Sequence, residues 1–179
     1  MVTEQRVPSK IELLETLRSS EREILERVRS LPKEEFERGR YENGWNGRQI
    51  LAHVASIEWT YPRLIDIAKQ PPPDAETAKA QETGSREAGG TRSAALRGGI
   101  DSYNERQVAK RADASVDELL EEFQKNRAAT IAAVEAVDEA LLTTPIQSAG
   151  GISGALGAVI DAIAVRHILA HVNDIAGAE

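Results

Sequence analysis

Cysteine is absent from the 179 residues, which excludes disulfides, thiolate-ligated zinc, iron–sulfur clusters and any protein thiol nucleophile. Aromatic residues make up only 4% of the chain, while Ala, Leu, Glu and Arg are plentiful. Straight-chain and small side chains lose little freedom in helices, so an all-α fold is expected. Positive charge is in deficit, with 22 Lys+Arg against 29 Asp+Glu and a formal net charge of -7. Such a chain offers no field to draw in a phosphate backbone, and nucleic acid is not expected as a partner. No run approaches ~18 uninterrupted apolar residues. The opening MVTEQRVPSK lacks the apolar centre of an export signal, so no membrane partner is expected and the cytoplasm is the expected location. The length suits one domain over residues 1–179, burying roughly 70% of the surface of the unfolded chain.

Helix signals are strong. Ser9 and Glu12 form a Ser-x-x-Glu cap, and Ile11, Leu14, Leu17, Ile24, Leu25 and Val28 follow at the spacing of one helical stripe, giving a first helix to about Ser30. Asn46 and Gln49 cap a second, with Ile50, His53, Val54, Ile57, Tyr61, Leu64 and Ile65 as its stripe and Pro62 bending it from within. From Gln70, three consecutive prolines and the pairs Gly89-Gly90 and Gly98-Gly99 mark a long crossover or lid over about 70–112. A short helix over Ile100–Arg111 carries Tyr103 and Asn104, which with the segment to Gly99 are the expected wall of a substrate pocket. Ser115 and Glu118 cap a third long helix, expected to end near Leu142, and Ser153 caps a fourth reaching about Ile175.

All three histidines fall in two echoing segments, Arg48-Gln49-Ile50-Leu51-Ala52-His53-Val54 and Arg166-His167-Ile168-Leu169-Ala170-His171-Val172, which differ at one position of seven. At about 100° per residue His171 lies about 40° from His167, with Asp174 about 20° to its other side. The same count gives that face Leu156, Ile160 and Ile163, so the imidazoles are expected to point inward. Two histidines four apart, joined by one from another helix, make a sound metal site. His53 lies about 10 Å into its helix, and His171 and His167 lie about 6 and 12 Å from the end of theirs, so the levels match only if the second and fourth helices are antiparallel. An up-down-down-up four-helix bundle with its long crossover between helices two and three meets that condition. Asp174 is a candidate fourth ligand or outer partner of the site. Glu58, about 140° around from His53, is expected to form surface pairs, and Arg48 and Arg166 are expected to be surface charges.

Trp45-Asn46-Gly47-Arg48-Gln49-Ile50-Leu51-Ala52-His53-Val54 followed by Ile57-Glu58 resembles the second-helix signature of the DinB-like four-helix bundles. His167-xxx-His171-xx-Asp174 is similar to their fourth-helix HxxxHxxQ pattern, with Asp where glutamine is common, and Tyr103-Asn104-Glu105 leading into Ser115-Val116-Asp117-Glu118 extends the resemblance over most of the chain. The resemblance implies an up-down-down-up bundle with His53, His167 and His171 holding zinc, nickel or a similar ion. It also implies chemistry of the thiol-dependent S-transferase or isomerase kind, with mycothiol, bacillithiol or glutathione as the thiol. Other relatives lack the histidines and are hydrolases.

In that reading the ion lowers the pKa of a bound thiol, or of a water, and a small-molecule substrate meets the nucleophile. Irving–Williams ordering and cellular supply would choose the metal. Ligation needs neutral imidazole, so metal is expected to leave below roughly pH 6. The rival reading is a non-catalytic helical homodimer with a structural or vestigial metal site. It rests on Val165, Leu169 and Val172, which the helical count puts opposite the histidines, where a second copy would cover them.

Overall fold

The computed structural model describes residues 6–42, 44–70 and 99–177. Helix α1, Lys10–Ser30, starts with the reciprocal cap: Ser9 accepts from the Glu12 amide while Glu12 accepts from the Ser9 amide at 2.8 Å. It buries Leu13, Leu17, Ser20, Ile24, Leu25 and Val28. Ile11, read onto that stripe, is 70% exposed, because Leu13 takes the inward position instead. A short α2, Lys33–Glu37, buries Phe36. The Asn46–Gln49 cap opens α3, Gly47–Glu58.

Pro62 does not bend a continuing helix. The chain leaves α3 at Glu58, and Pro62 takes the first position of a new helix α4, Pro62–Ala68, where its missing N–H is one that no intrahelical carbonyl would have accepted. The part of the expected crossover from 71 to 98 lies outside the described residues. Helix α5, Gly99–Ala109, packs against α3. The Ser115–Glu118 cap opens α6, Val116–Glu135. That helix stops short of Leu142, and a 3-10 turn over Glu139–Thr143 carries the chain on.

Two short strands then appear that helical periodicity does not foresee. β1, Pro145–Gln147, pairs antiparallel with β2, Ser153–Ala155, with Gln147 opposite Ser153. Ser153 is therefore part of a hairpin rather than a helix cap. The Leu156 amide continues the ladder by donating to the Thr144 carbonyl at 2.9 Å as helix α7, Leu156–Ile160, begins. Helix α8, His167–Ala176, follows α7 through a wide π-helical turn, Asp161–Arg166, closed by the His167 amide donating to the Ala162 carbonyl five residues back. Apart from the hairpin and an isolated bridge between Gly39 and Asn46 the described structure is helical, and its buried apolar residues other than Ala158 form one cluster.

The wide turn corrects the face assignment made from sequence. A turn holding one extra residue rotates everything after it by about 100° relative to a regular helix. Val165 and Val172, expected on an uncovered side, are buried with Ile168 and Ile175, while Leu169 and Ile163 are half-buried. The apolar face on which a homodimer was expected is thus largely covered by the chain itself. Leu156–Ala176 is long and apolar enough to cross a membrane by length and composition, but half of its most apolar window is buried inside the fold.

Cross-helix contacts fix directions. Gly47, at the start of α3, lies against Ile175 near the end of α8, and Tyr61, just past α3, donates to the Ile163 carbonyl at 3.0 Å, so α3 and α8 run oppositely. Lys10 donates to the Glu135 and Val137 carbonyls at 2.6 and 2.8 Å, which sets α1 against α6. Arg48 reaches the Ala112 carbonyl and Asn126 the Ala55 carbonyl, so α3 and α6 run the same way.

Candidate metal centre

Opposed helices bring the sequence-distant histidines to one level. The ring of His53 lies 5.0 Å from that of His171 and 6.2 Å from that of His167, centre to centre, and the His167 and His171 rings are 4.3 Å apart. One ring nitrogen from each falls within 4.8 Å of the others. His167 Nε2 and His171 Nε2 are 3.1 Å apart. Two nitrogens each about 2.1 Å from a common cation would be separated by roughly 3.0–3.4 Å, so this spacing is compatible with two ligands of one ion as well as with a hydrogen bond between the two rings. His53 is 5% exposed, and its Nδ1 is buried without a hydrogen-bond partner among the described residues, as befits an imidazole free for coordination. The donor set of three neutral imidazoles is compatible with a divalent transition-metal ion.

The rings are not uniformly inward. His53 is buried and His171 half-buried, but His167 is exposed at the rim. Burial depresses all three: His53 is held down to about 3 with help from His171 and His167, His171 to about 4 with help from His167 and against Asp174, and His167 is lowered by burial alone, against the pull of Asp174. These nitrogens therefore keep their lone pairs to lower pH than an ordinary imidazole does, so metal would be retained below roughly pH 6.

A residue that sequence reading passed over completes the surroundings. Tyr41 comes from the turn before α3, where its amide and that of Arg40 donate to the Trp45 carbonyl and Gly44 takes a φ of +88°, open to glycine. The Tyr41 hydroxyl lies 2.7 Å from His171 Nδ1 and also donates to Asp174. A carboxylate can only accept, so the tyrosine oxygen is left to accept from His171 Nδ1–H, and Nε2 keeps its lone pair on the side facing His167. Burial, then the hydrogen bond and charge of Asp174, raise the Tyr41 hydroxyl above its ordinary range. The Trp45 ring stands 5.4 Å from that of His53 and closes its other side. Two aromatics within five residues, in a chain so poor in them, were the available signal.

Asp174 thus reaches the cluster through Tyr41, its Oδ2 3.8 Å from His171 Nδ1, and is not among the three converging ligands. Tyr103 and Asn104 are half-buried on α5 and make no hydrogen bond to the histidines among the described residues. Arg166 is exposed and pairs with Asp161 at 3.1 Å, whereas Arg48 is half-buried.

Glu58 departs most from expectation. It is fully buried and forms a two-pronged pair with the equally buried Arg127, Nε to Oε1 at 2.8 Å and Nη2 to Oε2 at 3.0 Å. Burial pushes its carboxyl above the ordinary range, and Arg127 opposes that. The face of α3 that carries Glu58, read as open to solvent, is covered by α6.

Against known proteins, the family profile described as the DinB superfamily matches residues 7–174. No curated protein matches the chain, and no solved structure does.

Proposed function

Because this chain belongs to the DinB superfamily, we propose that it is a metal-dependent enzyme in which His53, His167 and His171 hold one divalent ion, zinc or nickel. The observation that carries this reading is the 3.1 Å separation of His167 Nε2 and His171 Nε2 beside a buried His53. When bound, the ion would lower the pKa of a coordinated thiol or water into the neutral range. His53 forms the buried floor, His171 is held in one tautomer by Tyr41 and Asp174 acting from outside the ligand set, and His167 guards the rim. The surrounding wiring is that of an up-down-down-up four-helix bundle, a reading supported by the opposed and parallel pairs of helices.

A low-molecular-weight thiol, such as mycothiol, bacillithiol or glutathione, is favoured over water by the acid–base inventory. Hydrolysis calls for a general base near the nucleophile. The one carboxylate beside the histidines among the described residues, Asp174, is engaged by Tyr41 on the far side of His171. A thiol starts from a pKa of about 8.5 against about 15.7 for water, so at the same ion it would lose its proton more readily and depend less on such a base, which suits S-transferase or isomerase chemistry. A cytoplasmic setting, where such thiols stay reduced, fits this reading.

Elemental analysis of protein prepared without an affinity tag tests it, followed by turnover of a thiol and a generic electrophile with and without metal. We expect about one divalent ion per chain and metal-dependent turnover, both lost in His167→Ala. Equal and negligible metal in the two proteins refutes the reading.

A further inference from the structure

The buried Glu58–Arg127 pair plays no part in the site as described, yet it touches both of its arms. Arg127 is 0% exposed, and every donor it has is engaged. Nε and Nη2 hold Glu58, Nη1 reaches the Leu17 carbonyl at 3.2 Å and Ser20 Oγ at 3.0 Å, and Nη2 also reaches the Ala164 carbonyl at 2.5 Å. Ala164 lies within the wide turn Asp161–Arg166, which ends where His167 begins. The adjacent carbonyl, Ile163, accepts from the Tyr61 hydroxyl at 3.0 Å. On the other arm, Glu58 closes α3 five residues after His53, and Tyr61 follows three residues later.

Side chains from α6 and from the end of α3 thus bind two successive carbonyls of the turn that sets the rotation of α8. Carbonyls inside a regular helix are already taken by amides, so outside donors of this strength stabilise the widened form over the regular one. If the turn rewound to a regular α-helix, His167 and His171 would swing by about 100° relative to α7. A buried ion pair is itself a weak source of stability, because desolvation offsets most of the attraction, and its best-attested use is to select one arrangement among several.

We propose that Glu58, Arg127 and Tyr61 are positioning residues of the three-histidine site: anchored at the end of the His53 helix, they hold the Asp161–Arg166 turn wide and so aim His167 and His171 at His53. The proposal rests on the metal reading for its purpose, but its structural content can be measured without metal.

The test compares wild type with the double variant Glu58→Leu/Arg127→Met, which removes both charges together, and with Tyr61→Phe, which removes one hydroxyl. Amide hydrogen exchange over residues 161–171 is followed in the metal-free proteins. Cobalt(II) is then titrated while its visible absorption is recorded, as a spectroscopic report of ligand geometry. In variants that still unfold cooperatively, we expect faster exchange in the turn, cobalt affinity lowered by about 10-fold or more and an altered spectrum, with Tyr61→Phe showing the smaller effect. Wild-type exchange, affinity and spectrum in the folded variants overturn the proposal. Should the double variant fail to fold, Tyr61→Phe decides alone by the same criteria. Should wild type itself bind no cobalt, the metal reading fails, and unchanged exchange over 161–171 in the variants then overturns the positioning claim separately.

Discussion

Tyr41 and His171 stand 130 residues apart in sequence, and the tyrosine hydroxyl meets Nδ1 of the imidazole at 2.7 Å. Because the same hydroxyl donates to Asp174, the three groups form a chain that fixes which imidazole nitrogen carries the proton. Tyr41→Phe should therefore weaken metal binding by about 10- to 100-fold, the usual effect of losing an outer partner. Stability should fall by only about 1 kcal/mol. Competition titration with a metal indicator, set beside thermal unfolding, checks both; unchanged affinity would mean that the tautomer does not depend on Tyr41.

Gly47 sits where α3 crosses the end of α8. A methyl group added there would come within 2.6 Å of the Glu35 carbonyl oxygen and 3.0 Å of the Phe36 Cα, which are backbone atoms that cannot swing aside, and 3.1 Å from Ile175 Cγ2. Gly47→Ala should destabilise the protein by roughly 1–3 kcal/mol through overpacking. Differential scanning calorimetry would show this as a lowered midpoint with cooperativity retained.

Removing Arg127 alone should be worse than removing the pair. Arg127→Met leaves Glu58 buried without its partner, a loss of about 3–5 kcal/mol, whereas Glu58→Leu/Arg127→Met should restore much of that stability. Urea unfolding of the single and double variants measures the difference, and equal destabilisation in both would contradict it.

Acid should unfold the metal-free chain earlier than its carboxylates alone would. His53 and His171 have folded-state pKa values near 3 and 4, below the 6.5 of the unfolded chain. The unfolded state thus binds more protons as pH drops below 6.5, and folded stability falls from there toward pH 4. Each of the two contributes at most about 1.4 kcal/mol per pH unit in that window. Unfolding free energies between pH 7 and 4.5 should decline in wild type and less steeply in His53→Phe, by up to about 1.4 kcal/mol per pH unit, with the slope due to His171 remaining.

What could be read from the sequence was what is decided locally. A capping box lies within four residues, so Ser9–Glu12, Asn46–Gln49 and Ser115–Glu118 are legible, and the structure keeps all three. The convergence of His53 with His167 and His171 also follows from counting along two helices once these are opposed. What escaped depends on distant partners. The wide turn is held by Tyr61 and Arg127, about 102 and 37 residues from the carbonyls they bind, and no local pattern reports it. Arg127 did leave a trace, because it occupies a core position in the stripe Phe123, Arg127, Thr130, Val134, where an arginine must find a buried acid. Glu58 was that acid. The sequence reads Pro62 as a bend within one helix, but a proline fits a kink and a helix start equally well, and tertiary packing chose the second.

The unequal exposure of the three imidazoles gives the centre an entrance and a back wall. A cation bound there would meet His167 first, since that ring is the most exposed of the three, and would be fully seated only on reaching the enclosed His53. In the metal reading, residence time and loading rate would be tuned by different side chains: substitutions around the rim would alter capture, while those around Trp45 and the floor would alter escape.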